Sequence, residues 1–312
     1  MYLIPLFFGI TIVVFILTRL AGDPVALLLG MGHNNTAAQR ALISSYLGIS
    51  GNYVDQYIKW LTNFLTLNFG VSFYTHISVN ATIWAPAWNT IELQLFSLLL
   101  SLAIAIPMGI MSARKQYSKM DMAVTTGSLF GVSMPVFFVG IIFILVFSFW
   151  LGWFPWGGIT SPPGKLLFNN LILDEAWHLF LPLIVLTIAD LASFFLLIRS
   201  SMLEVLRQDY ILAAQASGLS ERTVIYKHAL RNALIPLSTY IGLYLGGMLG
   251  GAPITETVFQ WPGLGKLYVA AITDLDYPVV QAVTMLITLM VLIANLITDI
   301  LYAYIDPRIR LD

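Results

Sequence analysis

The stretch "DYILAAQASGLSERTVIYKHALRN", residues 209–232, is charged and rich in helix-forming residues, yet it stands between two strongly apolar segments. The segment before it covers 178–198, and the segment after it covers 234–249. A plain connection between two membrane helices could be far shorter. The length and polarity of this insertion therefore indicate a role beyond joining its neighbours.

The composition indicates a membrane protein. Of 312 residues, 58% are hydrophobic and only 10% are charged, whereas ordinary soluble domains carry about 25% charged residues. A net charge of −1 argues against a nucleic-acid partner, and the lack of cysteine excludes disulfides and thiolate metal sites. Since about 20 apolar residues cross a bilayer, we predict an all-α, multi-pass protein of the cell membrane with six transmembrane helices, at about 2–20, 91–112, 129–151, 179–199, 234–252 and 279–303.

The distribution of basic residues predicts the orientation. Cytoplasmic loops of membrane proteins carry an excess of lysine and arginine. With the N-terminus inside, ten basic residues fall on the cytoplasmic side and four fall outside, so both termini and the stretch 209–232 are predicted to be cytoplasmic. The cytoplasmic set is Arg114, Lys115, Lys119, Arg199, Arg207, Arg222, Lys227, Arg231, Arg308 and Arg310, and the external set is Arg40, Lys59, Lys165 and Lys266.

This topology divides the chain into three parts. We expect a first transmembrane helix over 1–20, an extracytoplasmic loop region over 21–90 that forms a small helical cap, and a five-helix core over 91–312. The core contains a cytoplasmic loop at 200–233 and an extracytoplasmic loop at 253–278, in which Pro262, Gly263 and Gly265 should interrupt any helix. Asn34 and Asn80 stand in Asn-x-Thr acceptor sequences, and their glycosylation depends on the unknown host.

Enzymatic motifs do not fit the chain. Gly265-Lys266 lacks the glycine five residues earlier and is followed by Leu267, so it cannot form a phosphate-binding loop. The four histidines are scattered, which argues against a metal site. We therefore expect no catalytic, cofactor or metal residues and no ATP hydrolysis in this chain.

Asp190 is an acidic residue in the middle of the fourth predicted span. A charge at this depth costs about 2.5–3.5 kcal/mol on insertion scales and normally faces a polar interior. Two interpretations stay open: Asp190 lines a transport pathway, or it makes an interhelical hydrogen bond to a serine or threonine.

The opening stretch itself predicts two helices joined by a sharp corner. Residues 203–217 favour a helix, Gly218 can supply a left-handed C-terminal cap, and Ser220 can cap a second helix over 221–231. The corner could lie flat on lipid headgroups or dock into a partner's cleft. Its small, sharply turned tip favours docking.

This stretch resembles the loop of ATP-binding-cassette (ABC) import permeases that carries Glu-Ala-Ala, three further residues and glycine. Ala213, Ala214 and Gly218 match that pattern, while Leu212 stands in place of the glutamate. The longer stretch resembles the dipeptide/oligopeptide permease family more specifically. Similar stretches extend along nearly the whole chain, among them "TRLAGDPV" (18–25), "LGWFPWGG" (151–158), "ETVFQWPGLGKLYVAAITDLDYPVVQA" (256–282) and "DPRIRL" (306–311).

The resemblance implies a type I ABC importer permease fold and a set of partners. These are a homologous second permease, two cytoplasmic ATPase subunits that bind ATP and magnesium, and an external substrate-binding protein. The corner would be the coupling helix that sits in an ATPase groove. The residues that the resemblance and the corner's position assign to coupling are Ala213, Ala214, Gly218, Leu219, Ser220, Glu221 and Arg222.

The resemblance favours peptides as the substrate but leaves oligosaccharides and nickel chelates open. Two other classes of protein are also considered. An ion-coupled secondary transporter would usually show internal repeats and interrupted spans with ion ligands. A membrane scaffold without transport would explain the docking corner but not the buried charge of Asp190.

Overall fold

The computed structural model is mostly helical in the part of the chain that it describes. In that part, the only extended pairing is an isolated antiparallel bridge between Val71 and Ser78. The acceptor Asn34 and the basic residues Arg308 and Arg310 lie outside the described residues. The described residues are 3–20, 22, 24–29, 36–46 and 49–305.

Most helices follow one another with short connections, and longer loops cover residues 66–78 and 151–166. Two π-helical segments, Ile144–Trp150 and Val224–Ala229, continue neighbouring helices, and short 3₁₀ turns occur at Leu167–Asn169 and Met248–Gly250. The α-helices are α1 (Leu3–Leu20), α2 (Pro24–Leu29), α3 (Ala37–Tyr46), α4 (Tyr53–Leu65), α5 (Val79–Arg114), α6 (Lys119–Ser133), α7 (Val136–Phe143), α8 (Leu171–Val205), α9 (Asp209–Ala216), α10 (Glu221–Thr223), α11 (Leu230–Ala233), α12 (Ile235–Gly247), α13 (Pro253–Val258), α14 (Leu264–Thr273) and α15 (Tyr277–Ile305).

Three helices are long and apolar enough to cross a bilayer. They are α5, α8 and α15. Two bent pairs, α6 with the helix that begins at Val136 and the helix at Glu221–Ala233 with the one at Ile235–Gly250, bring the number of candidate spans to as many as five in the described residues. The first predicted span corresponds to α1, an apolar helix of 18 residues at the short end of the range for a span.

The predicted span 129–151 is not one straight helix. α6 ends at Ser133, and the next helix begins at Val136 after a bend of 99°. The cause is Pro135, because a proline disfavours the helical conformation in the residue before it. Met134 accordingly has an extended backbone with φ −80° and ψ 129°. Apolar composition alone could not locate this bend.

The two predicted extracytoplasmic pieces contain helices. The piece 21–90 includes α2, α3 and α4, and the helix that holds the second predicted span already begins at Val79. The Asn80 side chain accepts from the Phe69 N–H and donates to the Leu67 carbonyl. The piece 253–278 is interrupted at Pro262 and Gly263 as predicted, but Gly265 lies in the first turn of α14.

One compact unit is held by contacts of α1 and α15. α1 packs against α4, where Thr11 and Tyr57 share a side-chain hydrogen bond of 2.8 Å. The loop after α4 is fixed to the start of α15 because the Ser72 hydroxyl and the Phe73 N–H both donate to the buried Asp276 carboxylate. This unit comprises residues 1–90, 246–253 and 262–293.

The second compact unit has its own apolar core. Leu181, Val185 and Phe259 are almost fully buried there against side chains of α7 and the π-segment that follows it. The loop at Gly157 approaches so closely that a Cβ would lie 2.4 Å from the Phe259 carbonyl oxygen, so only glycine fits. This unit comprises residues 91–245, 254–261 and 294–312.

Candidate functional site at the Gly218 corner

The corner around Gly218 is a tight turn between α9 and α10. Ser217 ends α9 by donating its N–H to the Ala213 carbonyl at 3.0 Å. Gly218 follows with φ of +77°, a conformation that favours glycine. The Ser220 hydroxyl then accepts from the Thr223 N–H at 3.3 Å and caps α10. The left-handed glycine and the capping serine predicted from the sequence are both confirmed.

The helix expected over 203–217 is broken in the middle. α8 ends at Val205, and α9 begins at Asp209. Gln208, which precedes α9, has an extended backbone with φ −74° and ψ 145°. Helix propensity is a weak preference that tertiary context overrides, so the residue types alone did not reveal this second turn.

The base of the corner is buried and its tip is exposed. Ala214 is half-buried, and the other six residues predicted for coupling are exposed. Leu219 exposes 42% of its surface at the tip. The corner therefore presents a free surface on a packed support. The buried support consists of Ile211, Val224, Ile225 and Ala229, each no more than 4% exposed.

Hydrogen bonds close the base of the corner. The Asn232 side-chain amide donates to the Tyr210 hydroxyl at 2.7 Å and to the His228 carbonyl at 3.2 Å. Tyr210 lies on α9 and Asn232 lies on α11, so the bond joins the two arms of the corner. The returning arm is π-helical over Val224–Ala229, and such segments are frequent at functional sites.

An ion pair connects the corner to the end of α5. The Arg114 guanidinium contacts the Glu221 carboxylate, with Nη2–Oε1 at 2.6 Å and Nε–Oε1 at 3.2 Å. The two side chains are 37% and 70% exposed. Exposed ion pairs contribute about 0–1 kcal/mol, so this contact links the corner to α5 but adds little to the stability of the fold.

A second, buried ion pair joins α5, α6 and α8. Arg199 binds both carboxylate oxygens of Asp121, with Nε–Oδ1 at 2.6 Å and Nη2–Oδ2 at 2.8 Å. The same carboxylate accepts from the Ser112 hydroxyl and from the Tyr117 N–H at 2.8 Å. Asp121 is 2% exposed. Bidentate pairs of this kind restrict geometry as well as adding energy, so the three helix ends are held as one support.

This buried pair is not predicted from the sequence, where Asp121 carries no distinguishing signal and Arg199 counts only as a cytoplasmic charge. The two residues are 78 positions apart, and a single sequence carries no information on the register between two helices. The available signal was weak: an acidic residue at the start of α6 and a basic residue in the last part of α8.

Asp190 lies in a small polar cluster within the second unit. Its carboxylate accepts from the Ser97 hydroxyl and the Tyr244 hydroxyl, each at 2.8 Å. Tyr244 also lies 2.7 Å from Oε1 of Gln94. The interhelical hydrogen bond to a serine, one of the two interpretations of Asp190 from the sequence, is present. Asp190 is half-buried, so this bond leaves the pathway interpretation open.

Comparison with known proteins gives consistent matches along the chain. Residues 105–311 match the model of the family described as "Binding-protein-dependent transport system inner membrane component". The oligopeptide transport system permease protein AppB of Bacillus subtilis (strain 168) is 43% identical over 98% of this chain and 96% of its own length. The dipeptide transport system permease protein DppB of Escherichia coli (strain K12) is 35% identical over 98% and 96%.

A solved structure has the same fold. One chain of the MetNI methionine ABC transporter, in an inward facing conformation, aligns with a TM-score of 0.55 over 72% of this chain and 96% of that chain. Its sequence identity is 16%, so the likeness concerns the fold alone. Together with the family match and the full-length relatives, it leads to one conclusion: the chain belongs to the family of inner membrane components of binding-protein-dependent transport systems.

Proposed function

We propose that this chain is a permease subunit of an ATP-driven importer of peptides in the cell membrane. Membership of the binding-protein-dependent transport family supports import. The relatives named as oligopeptide and dipeptide permeases, at 43% and 35% identity, favour peptides over oligosaccharides or nickel chelates. The working complex would contain a homologous second permease, two ATPase subunits that bind ATP and magnesium, and an external substrate-binding protein.

The proposed topology has six spans with both termini in the cytoplasm. α1 would be the first span, and the helix pairs bent at Pro135 and near Leu234 would each cross once. The excess of basic residues on one side supports this orientation. It places the Gly218 corner in the cytoplasm and the region around α4 outside.

The observation that carries the proposal is the combination of an exposed tip and a fixed base at the Gly218 corner. Leu219 is exposed, whereas Ile211 and Val224 beneath it are buried. An apolar, sharply turned tip of this kind is suited to a groove on a partner. We therefore assign Ala213, Ala214 and Gly218–Arg222 to contact with an ATPase subunit.

Force applied to the tip would reach the membrane helices through named contacts. The Glu221–Arg114 ion pair leads to the end of α5, and the Asp121–Arg199 pair connects α5 and α6 with α8. Because the second pair is buried and bidentate, these helix ends would move together. Closure of the ATPase dimer would thus tilt a group of helices and not one loop. Asp190, on α8, would lie along the path that this tilting opens.

Co-purification tests the proposal. The tagged chain should bring ATPase subunits with it, and the complex should show vanadate-sensitive ATP hydrolysis and peptide uptake in vesicles. A secondary transporter would transport without ATPase subunits, and a scaffold would show no uptake. Either result would refute the proposal.

A charge at the tip tests the role of the corner. Leu219→Asp should leave membrane levels normal but weaken ATPase binding, because an unpaired charge would enter an apolar groove. Leu171→Asp is the matched control, since Leu171 is 55% exposed and lies on the proposed external side. Equal uptake by both variants and the unchanged chain would show that the corner does not couple.

A further inference from the structure

A cavity of about 340 Å³ lies within the first unit, between the end of α1, α4, the loop after α4 and the start of α15. None of the residues assigned above to coupling or to the pathway lines it. The lining residues that matter for its chemistry are Arg19, Gln56, Lys59, Trp60, His76 and Tyr277.

The charge of the cavity wall is positive. Arg19 and Lys59 line it, and none of its described lining residues is acidic. The nearby Asp276 carboxylate is occupied by the Ser72 hydroxyl and the Phe73 N–H and is itself buried. The Arg19 guanidinium lies over the Phe15 ring, 5.2 Å from its centroid. The wall therefore offers cationic donors to an anionic group.

Two polar atoms at the cavity have no partner among the described residues. One is Nε of Arg19, a donor, and the other is Oε1 of Gln56, an acceptor. Gln56 is only 7% exposed, and its amide nitrogen already donates to the Ile49 and Gly51 carbonyls at 3.0 Å each. Buried polar atoms are nearly always hydrogen-bonded, so the cavity suits a ligand with an anionic oxygen and a donor.

The surroundings of the cavity are those of a membrane interface. The apolar helix α1 ends at Arg19 and Leu20, and the side chains of Ile12, Ile16 and Leu17 on this helix are exposed. Arginine, tryptophan and tyrosine are common where the hydrocarbon core meets the headgroups. Basic pockets between transmembrane helices bind anionic lipid headgroups on the cytoplasmic side of membranes, and a cationic pocket at the external interface can hold a phosphate by the same charge-assisted hydrogen bonds.

We infer that this cavity binds the headgroup of an anionic phospholipid that also carries a hydroxyl donor, as phosphatidylglycerol does. The phosphate accepts from Arg19 and Lys59, a glycerol hydroxyl donates to Oε1 of Gln56, and the acyl chains lie along α1. The site would tie the external end of α1 and the loop after α4 to the outer surface of the bilayer. The inference uses the proposed topology but holds for any transported solute.

Lipid retention measured by native mass spectrometry tests the site. The complete importer is placed in nanodiscs of phosphatidylcholine, with or without phosphatidylglycerol, and released under mild conditions. The unchanged complex should retain phosphatidylglycerol in preference to phosphatidylcholine. Arg19→Gln should weaken this retention about tenfold or more, as expected for a hydrogen bond to a charged group.

Arg40→Gln is the matched control for charge. Arg40 lies on α3, is exposed and does not line the cavity. The Arg40→Gln variant removes one positive charge from the same proposed side of the membrane but leaves the cavity intact, so retention of phosphatidylglycerol should stay unchanged. If both variants lost phosphatidylglycerol equally, the lipid would be held by general attraction to surface charge and not by the cavity, which would overturn the inference.

Phosphatidylmethanol isolates the role of Gln56. This lipid has the charge of phosphatidylglycerol but no free hydroxyl. The unchanged complex should prefer phosphatidylglycerol over it by about two- to tenfold, the range for one neutral hydrogen bond. Gln56→Leu should abolish that preference while both lipids stay bound through Arg19. The Gln56→Leu comparison also tests the lipid site if Arg19→Gln fails to fold. A Gln56→Leu complex that still preferred phosphatidylglycerol over phosphatidylmethanol would contradict the hydrogen bond assigned to Gln56.

Soluble competitors distinguish the source of the anionic group. Glycerol 3-phosphate at millimolar concentration should not displace the lipid, because it lacks acyl chains to lie along α1. Displacement by this compound would assign the cavity to soluble phosphates. If a tripeptide displaced the lipid from the unchanged complex but not from Arg19→Gln, the cavity would be assigned to substrate entry. Each displacement overturns the lipid inference without affecting the proposed import of peptides.

Discussion

Replacing Asp121 by asparagine should destabilise the protein strongly. The carboxylate is 2% exposed and accepts from Arg199 at 2.6 and 2.8 Å and from the Tyr117 N–H at 2.8 Å. Asparagine keeps one acceptor oxygen and places an NH₂ group against these donors. The Arg199 side chain, 19% exposed, is left as an uncompensated charge. Removing one partner of a buried pair costs about 3–5 kcal/mol, and the partial exposure places our expectation near 3 kcal/mol.

Thermal denaturation of the purified complex in detergent measures this loss. Because membrane proteins often unfold irreversibly, the midpoint temperature is compared at one heating rate. A loss of about 3 kcal/mol corresponds to roughly 6–12 °C at about 2–4 °C per kcal/mol. The control is Glu221→Gln, the same type of change at the exposed ion pair with Arg114. It should lower the stability by less than about 1 kcal/mol.

Equal midpoints for Asp121→Asn and Glu221→Gln would refute this reasoning, since burial would then make no difference. The double variant Asp121→Asn, Arg199→Gln supplies a second check. It removes the isolated charge and leaves two amides that can bond to each other. It should recover a substantial part of the lost midpoint, because most of the cost comes from the unpaired buried charge and not from the missing attraction. A double variant less stable than Asp121→Asn would contradict that account.

Three further expectations concern the corner, the topology and the intramembrane acid. Gly218→Val should abolish uptake at normal membrane levels, while Gly218→Asn should keep most of it. A Cβ at this position meets no atom within 4 Å, so the cost comes from the left-handed backbone, which asparagine tolerates. Uptake by Gly218→Val equal to that of the unchanged chain would exclude a coupling role. The chain has no cysteine, so a cysteine at Ser220 should resist impermeant thiol reagents in intact cells while one at Ser50 reacts, and the reverse result would invert the topology. Asp190→Asn can still accept from the Tyr244 hydroxyl and should fold but reduce uptake, so unchanged uptake would end the pathway role.

Local sequence signals predicted the corner well and the bends poorly. Gly218 and Ser220 act through their own backbone and side chain, so their effect can be seen in the residues themselves. Pro135 carried an equally local signal, but the apolar composition around it dominated the prediction of the span. Gln208 shows the opposite case, since its extended backbone is not marked by any local signal in the residue types around it.

Contacts between distant residues lay beyond the sequence. The Asp121–Arg199 pair needs the relative register of α6 and α8, and the cavity beside Arg19 needs the course of the loop after α4. The position of Asp190 in a span was visible, whereas its bonds to Ser97 and Tyr244 were not. Composition therefore indicated the apolar helices and local signals indicated the corner, but neither could show which charges meet inside the fold.

The bond between Ser72 and Asp276 has a consequence for biosynthesis. The two residues are 204 positions apart, so a ribosome adding about 5–20 residues per second needs roughly 10–40 s to make the second after the first. During this interval the loop after α4 has left the ribosome without its later partner. Until Asp276 has been made, the Ser72 hydroxyl and the Phe73 N–H lack their native acceptor, so this loop reaches its final set of hydrogen bonds only when the polypeptide is nearly complete.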